Sequence, residues 1–188
     1  MRIILASGSP RRKMILSQAE VEFEVCASDK EEIITSDIPC EVVCELSAQK
    51  ALDVAREYPE DSIVIGADTV VSCNDEILGK PRDREDAVRM IELISGATHQ
   101  VYTGVTLVYM GKVHTFYAVT DVKVRKLTDA EITAYVDSDE PYDKAGGYAI
   151  QGIFGKYVTG INGEYNNVVG FPIARIYDEC KKHDIPLF

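Results

Sequence analysis

The segment Ser7-Gly8-Ser9-Pro10-Arg11-Arg12 joins a turn of small residues to two guanidinium groups, in what reads as the first turn of a helix. Backbone N–H groups left free at a helix N-terminus stabilise an anion. The same positive pole disfavours cations, so Arg11 and Arg12 cost stability there unless an anion sits among them. Phosphate binding is the chemistry this fits. A serine cap followed by two solvated arginines fits equally well, and this segment alone does not separate the two. The pattern Gly-x4-Gly-Lys-Ser/Thr is absent, which removes the main support for a P-loop kinase or GTPase.

Asp68 interrupts the apolar run Ile63-Val-Ile-Gly-Ala-Asp-Thr-Val-Val71. A carboxylate in such a strand persists by pairing with cations, binding a metal or lying at a cleft. A structural aspartate tied to backbone or to one arginine fits the setting less well. Gly66, two residues earlier, is expected to leave room beside it. Lys50 lies one helical turn from both Leu46 and Val54, where a charge needs a partner or must snorkel outward. In Asp143-Lys144-Ala-Gly-Gly-Tyr-Ala-Ile-Gln151-Gly152, glycines permit close backbone approach, and Gln151 can both donate and accept toward a base edge. The bland reading is a glycine-rich connection. His99, His114 and His183 have no triad or metal-cage spacing, and Cys40 and Cys44 lack the second pair that a zinc site requires.

These residues need elements to position them. The sequence predicts a strand at Ile3–Leu5, a helix from Pro10, and a strand over about 23–27. A longer helix is expected over about 41–58, ended by Pro59. A strand over 62–73 should pair with 76–80 across the Asn74-Asp75 turn, matching Cys73 with Glu76, Val71 with Leu78 and Thr69 with Lys80. In that register Asp68 faces away from Thr69 and Lys80, so bringing all three together requires a bulge or strand break near Gly79 or Pro81. A helix over 84–94 carries Asp83 as its cap and Gly96 at its end. Strands over 100–109 and 113–124 flank a turn at Met110-Gly111, and Thr128 with Glu131 forms a capping box for a helix to Val136. Glycine-rich loops and short strands are expected over 141–172, before a last helix over 173–182. The alternation points to one mixed α/β domain.

The chain has 188 residues, enough for one substantial core, and its net charge of −11 repels nucleic-acid polymers and acidic membrane surfaces. Neither is expected as a partner. Five scattered cysteines and no apolar leader suggest reduced thiols in the cytoplasm.

In this order the segments resemble the Maf family of nucleotide pyrophosphatases, related in fold to the inosine-triphosphate pyrophosphatases. The likeness spans nearly the whole chain. It rests on Leu5-Ala-Ser-Gly-Ser-Pro-Arg-Arg12, Ala48-Gln-Lys-Ala51, Gly66-Ala-Asp-Thr69, Gly79-Lys-Pro81, Asp143-Lys-Ala-Gly146, Tyr148-Ala-Ile-Gln-Gly152 and Val169-Gly-Phe-Pro172. Phe171, where leucine is usual, and the pair Asn166-Asn167 depart from the pattern. The resemblance implies a curved mixed β-sheet with flanking helices, forming two lobes around a nucleotide cleft.

Carried over by position, it makes Asp68 the catalytic base or metal-linked carboxylate, with Glu31 or Glu32 assisting at a divalent cation, Mg²⁺, Mn²⁺ or Co²⁺. Ser7, Arg11, Lys50 and Lys80 would surround the triphosphate; Lys144 is expected at the substrate from the glycine-rich segment's own composition. Arg12, Thr69 and Gln151 match the branch that acts on dTTP and UTP; another branch prefers 7-methyl-GTP. The implied reaction is metal-assisted attack of water at the α-phosphorus, releasing pyrophosphate. A homodimer is also implied. The competing expectations are a nucleotide-binding regulator of cell division, or the same hydrolase acting on modified nucleotides.

Overall fold

A computed structural model describes all 188 residues. Its strands are β1 (Ile3–Leu5), β2 (Glu24–Val25), β3 (Ile63–Cys73), β4 (Glu76–Leu78), β5 (Thr98–Tyr109), β6 (Lys112–Val124) and β7 (Val158–Asn162). The helices are α1 (Pro10–Gln18), α2 (Pro39–Ala55), α3 (Arg84–Ile94), α4 (Asp129–Val136), α5 (Tyr165–Val169) and α6 (Ile173–Lys182). The strands form one seven-stranded sheet in the order β2-β1-β3-β5-β6-β7, with β4 paired to β3. It is mixed: β1 runs parallel to β2 and β3, whereas β4 is antiparallel to β3 and β7 to β6. The α/β class is thus as expected.

Local signals set many of the boundaries. Asp83 accepts the Asp86 N–H at 2.8 Å, opening α3, and Thr128 and Glu131 form the reciprocal box that opens α4. Asn74 and Asp75 both have positive φ, 51° and 64°, the backbone of a type I′ hairpin turn. Cys73 pairs with Glu76 and Val71 with Leu78 as the arithmetic required. β4 then stops at Leu78, so the Thr69–Lys80 pairing never forms and the expected break falls at Gly79. Two elements keep bounds other than those expected, and the 141–172 stretch, expected as loops and short strands, carries the short helix α5 as well as β7. β2 shrinks to two residues because it is an edge strand whose neighbour β1 has only three. α2 begins earlier, at Pro39, whose fixed φ suits a first helical position, and it ends at Ala55.

The chain divides into two compact units. The first comprises 1–68, 103–118 and 170–188; the second comprises 69–102 and 119–169. In the first unit, α2 packs directly on strands through glycine notches. A Cβ at Gly66 would lie 2.3 Å from the Ser47 carbonyl oxygen, and one at Gly104 would lie 2.2 Å from that of Val43. Ile4, Ala6, Val54 and Val64 close a core beside them. The second unit has its own apolar core, in which Val71, Leu78, Ile91, Ile94, Val122, Tyr135, Phe154 and Tyr157 meet.

Candidate active site

Every residue of β3 is buried except Asp68 and Thr69, so the strand opens to solvent only where its carboxylate stands. The Asp68 side chain keeps 16% of its accessibility. Lys50 Nζ donates to Asp68 Oδ1 and also lies 3.0 Å from Glu32 Oε1. Two carboxylates therefore converge on one ammonium, and this is the partner that the position of Lys50 on its helix required. Sequence reasoning took Gly66 to leave room beside Asp68. The space is instead filled by α2, whose close approach brings Lys50 within reach.

The loop after β1 supplies the second part. Ser7 is buried, and its Oγ accepts from the Ser9 N–H at 3.3 Å and from Arg12 Nη1 at 2.9 Å. Ser9, at the N-cap, makes no capping hydrogen bond through its side chain, and the first turn of α1 holds no acid. The positive pole of the helix thus has no acid in its own first turn and no side-chain cap, with half-buried Arg11 beside it. The plain serine-cap reading fails here.

Arg12 does different work. Its Nε donates to the Gly170 carbonyl at 2.9 Å, and Nη1 donates to the Ala67 carbonyl at 2.8 Å as well as to Ser7. One guanidinium thereby ties together the loop after β1, the residue preceding Asp68 and the segment before α6. Burial pushes its pKa down, and the nearby Asp68 carboxylate partly offsets this.

Of the two candidate metal acids, Glu32 is the one facing Lys50, while Glu31 is exposed in the same loop. Magnesium and manganese need only one or two protein carboxylates when substrate phosphates complete their shell. Glu32 and Asp68, already gathered about a cation, fit a metal that arrives with a nucleotide. No group of three or more His, Cys, Asp or Glu is placed to form an all-protein cage.

The remaining sequence candidates lie in the second unit. Lys80 is exposed, one residue past Gly79, whose carbonyl accepts the Gly146 N–H at 2.9 Å. That bond joins the Lys80 segment to the glycine-rich one. Lys144 folds onto its own turn, donating to the Glu140 carbonyl at 2.9 Å and pairing with Asp143. Thr69 is half-buried and Gln151 exposed. Glu140, which sequence reasoning missed, accepts the Ile153 and Phe154 N–H groups at 2.6 and 3.1 Å and so fixes the turn that presents Gln151. Tyr148, three residues before Gln151, is held by buried His99 at 2.6 Å, so that histidine is structural. Asn167, one of the departures, donates from Nδ2 to Val101 O and Thr120 Oγ1, and Phe171 is fully buried; both serve packing.

The family model described as Maf-like protein matches residues 2–183. The chain belongs to the Maf family. This Maf protein is 52% identical to a protein of Agathobacter rectalis named dTTP/UTP pyrophosphatase, over 96% of this chain and 97% of that one. A protein of the same name from Lachnoclostridium phytofermentans is 50% identical, over 99% and 97%. Among solved structures, a HAM1 protein from Coxiella burnetii aligns at a TM-score of 0.48 with 12% identity, over 66% of this chain and 73% of that one, too slight a likeness to carry a conclusion.

Proposed function

We propose that this Maf protein is a nucleoside-triphosphate pyrophosphatase that converts dTTP and UTP to the monophosphate and pyrophosphate. The observation that carries the reading is the Glu32–Lys50–Asp68 arrangement, in the same unit as the uncapped N-terminus of α1. An acid beside a triphosphate repels it unless it does chemistry or shares a cation, so the cluster favours hydrolysis over sensing alone.

In this mechanism the α1 N–H groups, Ser7 and Arg11 bind phosphate oxygens, and Lys50 exchanges a carboxylate for the incoming anion. Asp68 orients a water and takes its proton as the oxygen attacks the α-phosphorus. The bond from that phosphorus to the bridging oxygen breaks, and the departing pyrophosphate keeps that oxygen. A divalent cation held by Glu32, Asp68 and the substrate would supply charge neutralisation and a more acidic water. On the family pattern, Lys80 is assigned to the triphosphate and Arg12, Thr69 and Gln151 to base preference, and Lys144 is assigned to the substrate from its place in the glycine-rich segment.

The 188 residues are assigned to one catalytic domain, with a homodimer carried over from the family. No helix is long and apolar enough to cross a membrane, and all five cysteines are free, in keeping with a cytoplasmic location.

Pyrophosphate release from dTTP, UTP, 7-methyl-GTP and further modified triphosphates, each with Mg²⁺, Mn²⁺ or Co²⁺, tests the reading. dTTP and UTP should give the highest kcat/KM. Nucleotide binding without release of pyrophosphate from any of them would overturn hydrolysis in favour of regulation, and a preference for a modified base would overturn the substrate.

A further inference from the structure

The loop from Ser28 to Ser36 contains no strand or helix, yet side chains of α2 fasten it along its length. Asp53 accepts from Ser28 and Lys30, and Gln49 binds Ile33. Glu45 accepts from Thr35, and Glu41 accepts from Ser36 at 2.6 Å. Glu41, Glu45, Gln49 and Asp53 are four residues apart and form one ridge of the helix, with a rise of about 18 Å from first to last. The loop descends this ridge antiparallel to α2, and the Ile33 N–H and C=O and the Thr35 N–H are bonded to the helix's side chains.

One of these contacts differs in kind. The Gln49 amide grips Ile33 in both directions: the Ile33 N–H donates to Oε1 at 2.9 Å, and Nε2 donates to the Ile33 carbonyl at 2.6 Å. Ile33 is otherwise an exposed apolar residue, 65% accessible, with no burial to hold it. The grip thus fixes the backbone next to Glu32, whose half-exposed carboxylate stands 3.0 Å from Lys50. Glutamine is suited to this because its side chain has both a donor and an acceptor, as a peptide group does. Lys50 and Gln49 are consecutive, so one short stretch of α2 holds both the carboxylate and the loop that delivers it.

We propose that Gln49 is a positioning residue that presets Glu32 for the divalent cation, so that the strength of metal binding is set by a clamp on the neighbouring peptide. The inference rests on the pyrophosphatase reading for its metal and can be tested apart from turnover. Gln49→Met keeps the length and helix propensity of the side chain and removes both hydrogen bonds.

Three measurements on the full chain serve. Amide exchange is followed over 28–36 without metal; Mn²⁺ binding is titrated with a non-hydrolysable dUTP analogue present; and kcat and the Mn²⁺ activation constant are measured with dTTP. Exchange over 28–36 should accelerate while α2 and β3 keep their protection. Half-saturation by Mn²⁺ should rise about tenfold, the lower end of what loss of an outer support costs a metal site. At saturating Mn²⁺, kcat should stay within about twofold of the wild type, since the clamp touches no reacting atom.

A loosened loop with unchanged Mn²⁺ binding would overturn the proposal, as would unchanged exchange. A wild type that binds Mn²⁺ and nucleotide but releases no pyrophosphate would sink the pyrophosphatase reading instead, and the tenfold shift in Mn²⁺ binding would still support the clamp.

Discussion

Lys50 meets Asp68 because residue 66 has no side chain. The two belong to different elements, α2 and β3, and the notch at Gly66 lets the helix backbone approach the strand closely enough for the ammonium to reach the carboxylate. Gly66→Ala should destabilise the fold by about 1–3 kcal/mol, the usual cost of overpacking. It should also lower kcat/KM at temperatures where the variant is fully folded. A thermal melt paired with pyrophosphate release checks both. Full activity in a folded Gly66→Ala protein would mean that the approach of α2 does not set the site.

Asp68→Asn keeps the shape of the side chain and removes the proton acceptor. It should cut kcat by about 10²–10⁴-fold, the contribution of a positioned base, with the melting temperature nearly unchanged because Lys50 retains Glu32. Near-normal turnover of dTTP by this variant would remove Asp68 from the role of base.

The two arginines at the start of α1 should separate in their effects. Arg11→Ala should raise KM for the triphosphate about tenfold or more without altering stability. Arg12→Met leaves the Ala67 and Gly170 carbonyls without their partner and should cost about 2–4 kcal/mol in denaturant unfolding. Equal stabilities for the two variants would contradict the clamping role of Arg12.

His99 should make stability depend on pH. Burial holds its pKa down to about 4, against 6.5 for an ordinary histidine, so the folded state resists taking the proton that the unfolded chain accepts. Its contribution is fully present above about 6.5 and is lost as the pH falls through about 4, amounting to about 3 kcal/mol at that point. His99→Gln should lack this component. The difference in unfolding free energy between wild type and variant should shrink by that amount from pH 7 to pH 4, and a constant difference would show that His99 does not titrate against folding.

What was legible in the sequence followed from how local each signal is. Asp83, Thr128 and Glu131 act within one helical turn, and Asn74-Asp75 fixes the register of β3 with β4 without reference to anything else. Asp68 was conspicuous because it is a charge in an apolar strand, whereas Lys50, at the edge of an apolar helix face, was weak evidence alone and gained its place from the resemblance. The strap over 28–36 was not legible: its bonds join residues five to twenty-five apart, and its polar partners resemble any solvated helix face. Their spacing of four was the one available clue. Arg12 could be recognised as a binder of oxygen atoms, but not as a binder of carbonyls from segments 55 and 158 residues away. Gly66 was read as leaving room beside Asp68, and the helix α2 occupies that room, since sequence marks close approach without naming what approaches.

The notch at Gly66 also limits how this protein can be repaired genetically. The nearest obstacle to a Cβ there is the main-chain oxygen of Ser47, ahead of the Ala51 methyl at 2.8 Å, and no exchange of side chains on α2 shrinks a peptide group. A selection for suppressors of Gly66→Ala should therefore return true revertants rather than compensating changes along the helix.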